Sequence, residues 1–321
     1  MEHLAGKRHL WFTISAIMLV PCILALTFWG LRFGIDFTGG SAWEIRFTEP
    51  VSTESIMQVL VDNGRPESSV QQVGEAAENR YQIRMKELVE GSAEKQQLET
   101  SLGTLAPLDP ASESLATVGA SVGESIRNRA VLAVVAASIG VLLYIAWAFR
   151  NTQNPLLYGI SAIVAMLHDA VFVIGIFAIL GRFAGVEVDA LFITALLTVI
   201  GFSVHDTIVV FDRIRENLRL HPNDAFIEVV NYSIAQTVVR SLNTSLTVVL
   251  TLLALYIFGG STTHEFVLAL LIGILAGTYS SIFNASQLLV AWELGEIQRF
   301  FGFLRGRRTG EAPETVANSA R

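Results

Sequence analysis

Residues 188–217 read VDALFITALLTVIGFSVHDTIVVFDRIREN. From about Val188 to Phe211 the stretch is apolar and long enough to cross a hydrocarbon core, which takes roughly 20 residues in helical form. Two ionisable residues, His205 and Asp206, interrupt it, and Arg213, Arg215 and Arg219 follow it. An ionisable side chain at membrane depth is costly and by default marks a pathway, a relay or a buried pair. The stretch therefore raises two questions: how many such spans the chain has, and what Asp206 does inside one.

Composition answers in the direction of a membrane protein. Of 321 residues, 52% are hydrophobic and only 16% charged, and the mean hydropathy is positive. A soluble globular domain is not built this way. Five further runs are long enough to span: Leu10 to Trp29, Val131 to Phe149, Leu156 to Leu180, about Val238 to Phe258, and Phe266 to Trp292. His168 and Asp169 interrupt the third span in chain order. The first run is too long for a signal peptide and no small-residue cleavage site follows it, so it reads as a retained anchor. The single cysteine, Cys22, lies inside it and allows no intrachain disulfide.

Lys7, Arg8 and His9 precede the first span; Arg150 follows the second, Arg213 to Arg219 the fourth, and Arg299 to Arg308 the sixth. The positive-inside rule then places both termini in the cytoplasm and the long loop after the first span outside. The expected layout is a cytoplasmic segment 1–9, a first helix 10–30, an external domain 31–128, a five-helix bundle 129–298, and a basic then disordered tail 299–321.

The external segment alternates like strands at Ser41 to Phe47, Ser69 to Val73, Arg80 to Met85 and Leu115 to Val118. Helices are predicted at Ser52 to Asn63, capped by Ser52 or Thr53, and at Ser92 to Leu105. The order βαββαβ is that of a ferredoxin-like domain. The fold class is thus an α-helical polytopic membrane protein of six transmembrane helices with one small α+β ferredoxin-like external domain.

Polar residues within the spans carry the candidate chemistry. At 3.6 residues per turn, positions 4, 7 and 11 apart share a helix face. Arg240 therefore heads a stripe of Thr244, Thr247 and Thr251, and the sixth span carries Gly273, Gly277, Ser280, Asn284 and Gln287 near one face. Two readings of these stripes stay open: hydroxyls that bond their own helix with glycines that allow close packing, or a polar pathway. Asp206 and Arg240 fall near one depth on the cytoplasmic side, and a carboxyl between burial and a cation is suited to take and release protons. Arg213 lies two turns below Asp206, whereas His205 points about 100° away from it. Asp169, beside His168, reads either as a second relay group or as a buried hydrogen-bonded anchor. The chain offers no metal-ligand cluster, no cofactor motif, no nucleic-acid signature and no His-Glu-x-x-His pattern, so an enzyme is the least expected class.

Four ordered motifs carry a family resemblance. Gly34-Ile35-Asp36-Phe37-Thr38-Gly39-Gly40 resembles the signature of the SecD/SecF export proteins. Val204 to Asn217, Arg240-Ser241-Leu242-Asn243-Thr244-Ser245 and Tyr279-Ser280-Ser281-Ile282-Phe283 resemble the fourth-, fifth- and sixth-helix motifs of the SecF branch. The resemblance covers about residues 10 to 295. It implies half of a twelve-helix unit of the RND superfamily, completed by SecD, in the inner membrane of a bacterial cell. It also implies association with the SecYEG channel, with YajC and YidC as further candidate partners. Proton-driven movement of unfolded secretory proteins is the implied activity. The proton-pathway residues it implies are Asp206, Arg240 and Thr244. Support from His168, Asp169, His205, Arg213 and Asn284, and a hinge at Gly34, Asp36, Gly39 and Gly40, complete the expected site. For Gly39-Gly40 a plain tight turn stands beside the hinge reading.

Two positions depart from the family pattern. His205 stands where Asn is commoner, and Gln287 stands for a common Pro, which predicts a straighter sixth helix. Two other functions remain as alternatives: half of an RND-type small-molecule or lipid transporter, and a non-conducting assembly subunit.

Overall fold

Each apolar run becomes a long helix. The computed structural model describes residues 5–74, 76–150, 152, 154–260, 263–296 and 299; the basic stretch Arg305 to Arg308 and the tail lie outside the described residues. The first span is α1 (Arg8–Phe28), preceded by one 3-10 turn. A four-residue helix, α2 (Ile35–Thr38), follows it. After the external domain come α5 (Ala120–Ala148), α6 (Pro155–Phe183), α7 (Ala190–Leu220) and α8 (Phe226–Phe258). The last span is α9 (His264–Ser280), a π-helical turn at Ser281–Ala285, and α10 (Ser286–Glu293). Among the described residues, six helices are thus long and apolar enough to cross a membrane. Helix α5 begins at Ala120, well before its apolar run, and α7 and α8 also extend beyond theirs, because nothing in the flanking sequence stops them. Asp189 starts α7 cleanly: its Oδ1 accepts from the backbone N–H of Phe192 at 2.7 Å.

The external domain contains β1 (Gly40–Arg46), α3 (Thr53–Asp62), β2 (Ser69–Val73), β3 (Arg80–Met85), α4 (Ala93–Leu102) and β4 (Ser114–Val118). The strands lie in the order β2-β3-β1-β4, all neighbours antiparallel, with Trp43 opposite Ile83 on one side and Leu115 on the other. This is the ferredoxin-like arrangement. Ser52 and Ser92 cap α3 and α4 through backbone N–H groups three residues on. Helix α4 stops at Leu102, three residues before the predicted end, and the chain then pairs Leu108 with Phe47.

The two parts are held by different physics. In the external domain Trp43, Ile45, Ile56, Leu60, Ile83, Leu98 and Leu102 are buried in one small core, each worth about 1.5–3 kcal/mol by removal from water. Lys95 sits at its edge. Burial opposes its charge, but hydrogen bonds to Glu113, Glu90 and Glu99 prevail and hold its pKa above the ordinary lysine value. In a bilayer, lipid tails give helices no such drive, so α6, α7 and α9 pack by close approach. A Cβ at Gly273 would run into the Val199 side chain, and one at Gly277 would lie 3.1 Å from Ser203 Cβ. Gly175 likewise receives Cys22 of α1.

Candidate functional site

Three helices meet at a buried carboxylate. Asp169, fully buried on α6, accepts hydrogen bonds at Oδ2 from Ser203 Oγ of α7 and Ser280 Oγ of α9, both at 2.5 Å. Its Oδ1 lies 2.9 Å from His168 Nδ1. Gly277 lets α9 lie close to Ser203, since a Cβ there would sit 3.1 Å from Ser203 Cβ. A second chain of hydroxyls runs alongside: Thr207 Oγ1 donates to Ser281 Oγ at 3.0 Å, and Ser281 Oγ to the Ser203 carbonyl at 2.9 Å. Asp169 is thus buried and hydrogen-bonded across three helices, which both readings of it allow.

Asn284, in the π-helical turn, accepts from Ser15 Oγ of α1 at 2.7 Å, and Tyr279 Oη donates to the Trp11 carbonyl at 3.0 Å. The first span is therefore more than an anchor, because it contributes Ser15 to the bundle's polar interior. Lone mid-span serines carry a signal of this kind, but only packing says which are used. The sixth span carries no proline at position 287 but is not α-helical throughout. Its π turn lies just before Gln287, whose side chain is fully buried with neither polar atom hydrogen-bonded among the described residues.

Asp206 is placed differently. It is 3% exposed, roughly 24 Å along α7 from Ala190 at 1.5 Å per residue. Its Oδ2 is buried with no hydrogen-bond partner among the described residues. The ion contact it makes there is to His205 Nδ1 at 3.9 Å, from a side chain that is itself exposed. The expected proximity to Arg240 is not a contact: Arg240 is exposed on α8 and forms no ion pair among the described residues. Thr244, Thr247 and Thr251 share its exposed side and bond back to the carbonyls of Arg240, Asn243 and Thr247 at 2.8–3.0 Å. Arg213 does not turn to Asp206 either; it bonds Gln236 and Glu216, both at 2.6 Å. Helix spacing fixes which residues share a face. The rotation of each helix, set by packing, decides whether that face looks inward.

The glycine segment meets the outer end of α7. Gly34 N–H donates to the Val188 carbonyl at 2.8 Å, and Asp36 Oδ2 accepts from Ala190 N–H at 3.0 Å. Gly39 and Gly40 have φ of +71° and +112°, and a Cβ on them would lie 2.7 Å from Ala120 Cα and from the Met85 carbonyl oxygen, respectively. Only glycine fits there.

A Gly-x-Ser-x-Gly spacing occurs at Gly119 to Gly123, between β4 and α5. Ser121 is exposed, and the surface hollow around it is lined by Glu124, Ser125, Asn128, Arg129 and Leu132, without a histidine. A nucleophile paired with a base is not formed there.

The profile of the family described as "Protein export membrane protein SecD/SecF, C-terminal" matches residues 97–295, and the "SecD/SecF GG Motif" matches residues 25–51. A relative from Thermobaculum terrenum, "Protein translocase subunit SecF", is 50% identical over 97% of this chain and 98% of its own length. Another of the same name from Anaerolinea thermophila is 41% identical over 94% of this chain and 97% of its own. The crystal structure of SecDF from Thermus thermophilus, described as a translocon-associated membrane protein, superposes with a TM-score of 0.77 at 34% identity. That match covers 90% of this chain and 38% of the longer one. The six spans, the single ferredoxin-like domain, the glycine segment against α7 and these matches agree: the chain belongs to the SecD/SecF family of protein-export membrane proteins.

Proposed function

We propose that this chain acts as the SecF-type half of a proton-driven unit that promotes movement of secretory proteins across a bacterial inner membrane. The observation that carries the reading is Asp206: a buried carboxylate inside a membrane helix whose Oδ2 has no hydrogen-bond partner among the described residues. The exposed cation and hydroxyls of α8 point the same way, since an exposed polar stripe in a membrane helix needs protein or water beside it, not lipid. Relatives from Thermus thermophilus and Bacillus subtilis are named SecDF, and this chain matches 37% and 38% of their lengths. That supports SecD as the partner that completes the seam. SecYEG, YajC, YidC and the unfolded substrate follow from the family alone, and the cytoplasmic placement of both termini from the Lys/Arg bias.

In the proposed cycle a proton arrives from outside along the seam and neutralises Asp206. Its attraction to Arg240, which faces the same seam from α8, weakens and the helices shift. The external domain then changes pose and draws substrate outward. One charge crossing about 100 mV supplies about 2.3 kcal/mol per proton. The test is Asp206→Asn in cells that depend on this chain. At normal protein level, secretory precursors accumulate as they do without the chain. Normal export contradicts the reading, and if deletion alone stops export, the chain is an assembly subunit.

A further inference from the structure

The external domain and the membrane bundle do not share a core. Their buried apolar side chains fall into two clusters with no member in common. Polar contacts and the chain itself therefore hold the domain in place, and the charged contacts converge on one residue. Glu187, in the loop between α6 and α7, is 4% exposed. Its Oε1 faces the guanidinium groups of Arg84 of β3 and of Arg32, which follows α1 and lies 3.2 Å away through Nε; these are charge proximities, without a hydrogen bond to Oε1 among the described residues. The Glu187 backbone N–H donates to Glu265 Oε1 of α9 at 3.4 Å, and the next residue, Val188, donates to the Arg32 carbonyl at 2.8 Å. Two residues on, Asp189 and Asp36 hold the first N–H groups of α7.

We propose that Glu187, Arg84 and Arg32 form a charge latch that holds the external domain on the outer end of α7, and that each transport cycle opens it. The inference rests on the function proposed above and names the parts through which Asp206 acts. Asp206 lies on α7 and Glu187 in the loop that leads into it, so movement of α7 is felt at Glu187. Gly39-Gly40, pinned between Ala120 and Met85, is the fixed corner about which the domain turns.

The chemistry favours an opening contact over a permanent seam. Burial, with the nearby Arg32 charge, pulls the Arg84 pKa down to about 10 against the pull of Glu265, so Arg84 stays charged at neutral pH but is held at a cost. Burial, with Asp36 adding to it, pushes the Asp189 carboxyl above its ordinary value. Lifting Arg84 away leaves Glu187 still facing Arg32, so opening does not strand a bare buried charge. Beside the latch an open cleft of about 220 Å³, lined by Phe33, Thr38, Gly39, Glu67, Arg84 and Lys86, separates the glycine segment from the sheet edge. A single hydrogen bond, Gln71 Nε2 to the Ala184 carbonyl at 3.3 Å, marks another contact of the domain with the loop.

The experiment uses Gln71→Cys with Ala184→Cys in the full chain assembled with its partner, and a short cleavable thiol crosslinker. Native Cys22 is 1% exposed and does not compete. Crosslinked protein is expected to lose gradient-driven export and regain it on cleavage. Arg84→Gln is expected to slow crosslinking about tenfold by breaking a largely buried pair, and Arg84→Lys, which keeps the charge, to recover most of it. Unimpaired export with the crosslink formed overturns the latch, as does wild-type crosslinking in Arg84→Gln. Normal export by Asp206→Asn in the same assay instead overturns the proton-driven reading, whatever the crosslink does.

Discussion

Asp169 and Asp206 are both aspartates buried in membrane helices, yet the bundle treats them oppositely. Asp169 accepts from serines of α7 and α9 and lies within hydrogen-bond distance of its own neighbour His168. Asp206 keeps a buried Oδ2 without a hydrogen bond among the described residues, and its helix neighbour α8 turns Arg240 outward. The lesson is that burial alone does not mark a working carboxylate. One that its own chain satisfies holds helices together. One left unsatisfied is the group to which the proposed cycle assigns the change of charge.

Stability measurements on the two sites should separate them, in descending order of effect. Asp169→Asn turns an acceptor-only group into one with a donor amide facing the Ser203, Ser280 and His168 donors. It should cost about 3 kcal/mol, read as an earlier thermal unfolding transition in detergent. A variant as stable as wild type would erase the distinction. Gly273→Ala, which drives a Cβ into Val199 where α9 meets α7, should cost about 2 kcal/mol by overpacking, seen in the same scan. Ser15→Ala removes the donor to Asn284 and should cost about 1 kcal/mol. A larger loss would make α1 a main support of the interior. Asp206→Asn should change the stability of the isolated chain by no more than about 0.5 kcal/mol, because no direct ion pair with Arg240 is broken. A loss as large as that of Asp169→Asn would show that Asp206 is a second anchor.

Much of the fold was legible in the sequence because it depends on local pattern. The six apolar runs, the strand at Ser69 to Val73, the strand at Arg80 to Met85 and a cap at Ser52 or Thr53 need only periodicity and capping chemistry to be seen. The site was legible in kind but not in arrangement. Asp206, Arg240 and the threonine stripe are where spacing puts them, on their helices. What spacing does not carry is how α7 and α8 are rotated against each other, and that rotation separates the pair. Ser203 and Ser280 became ligands of Asp169 through the close approach that Gly273 and Gly277 permit, a tertiary effect. The Arg84–Glu187 contact joins an external strand to a membrane loop about a hundred residues away, and no local signal announces such a pairing.

The central claim is that Asp206, and not Asp169, changes protonation when the assembled unit works. Infrared difference spectra of the membrane-reconstituted complex, recorded across an acid pulse on the outer side, test it most directly. The account predicts a protonated-carboxyl band in wild type that vanishes in Asp206→Asn. A band that persists unchanged in Asp206→Asn would contradict it.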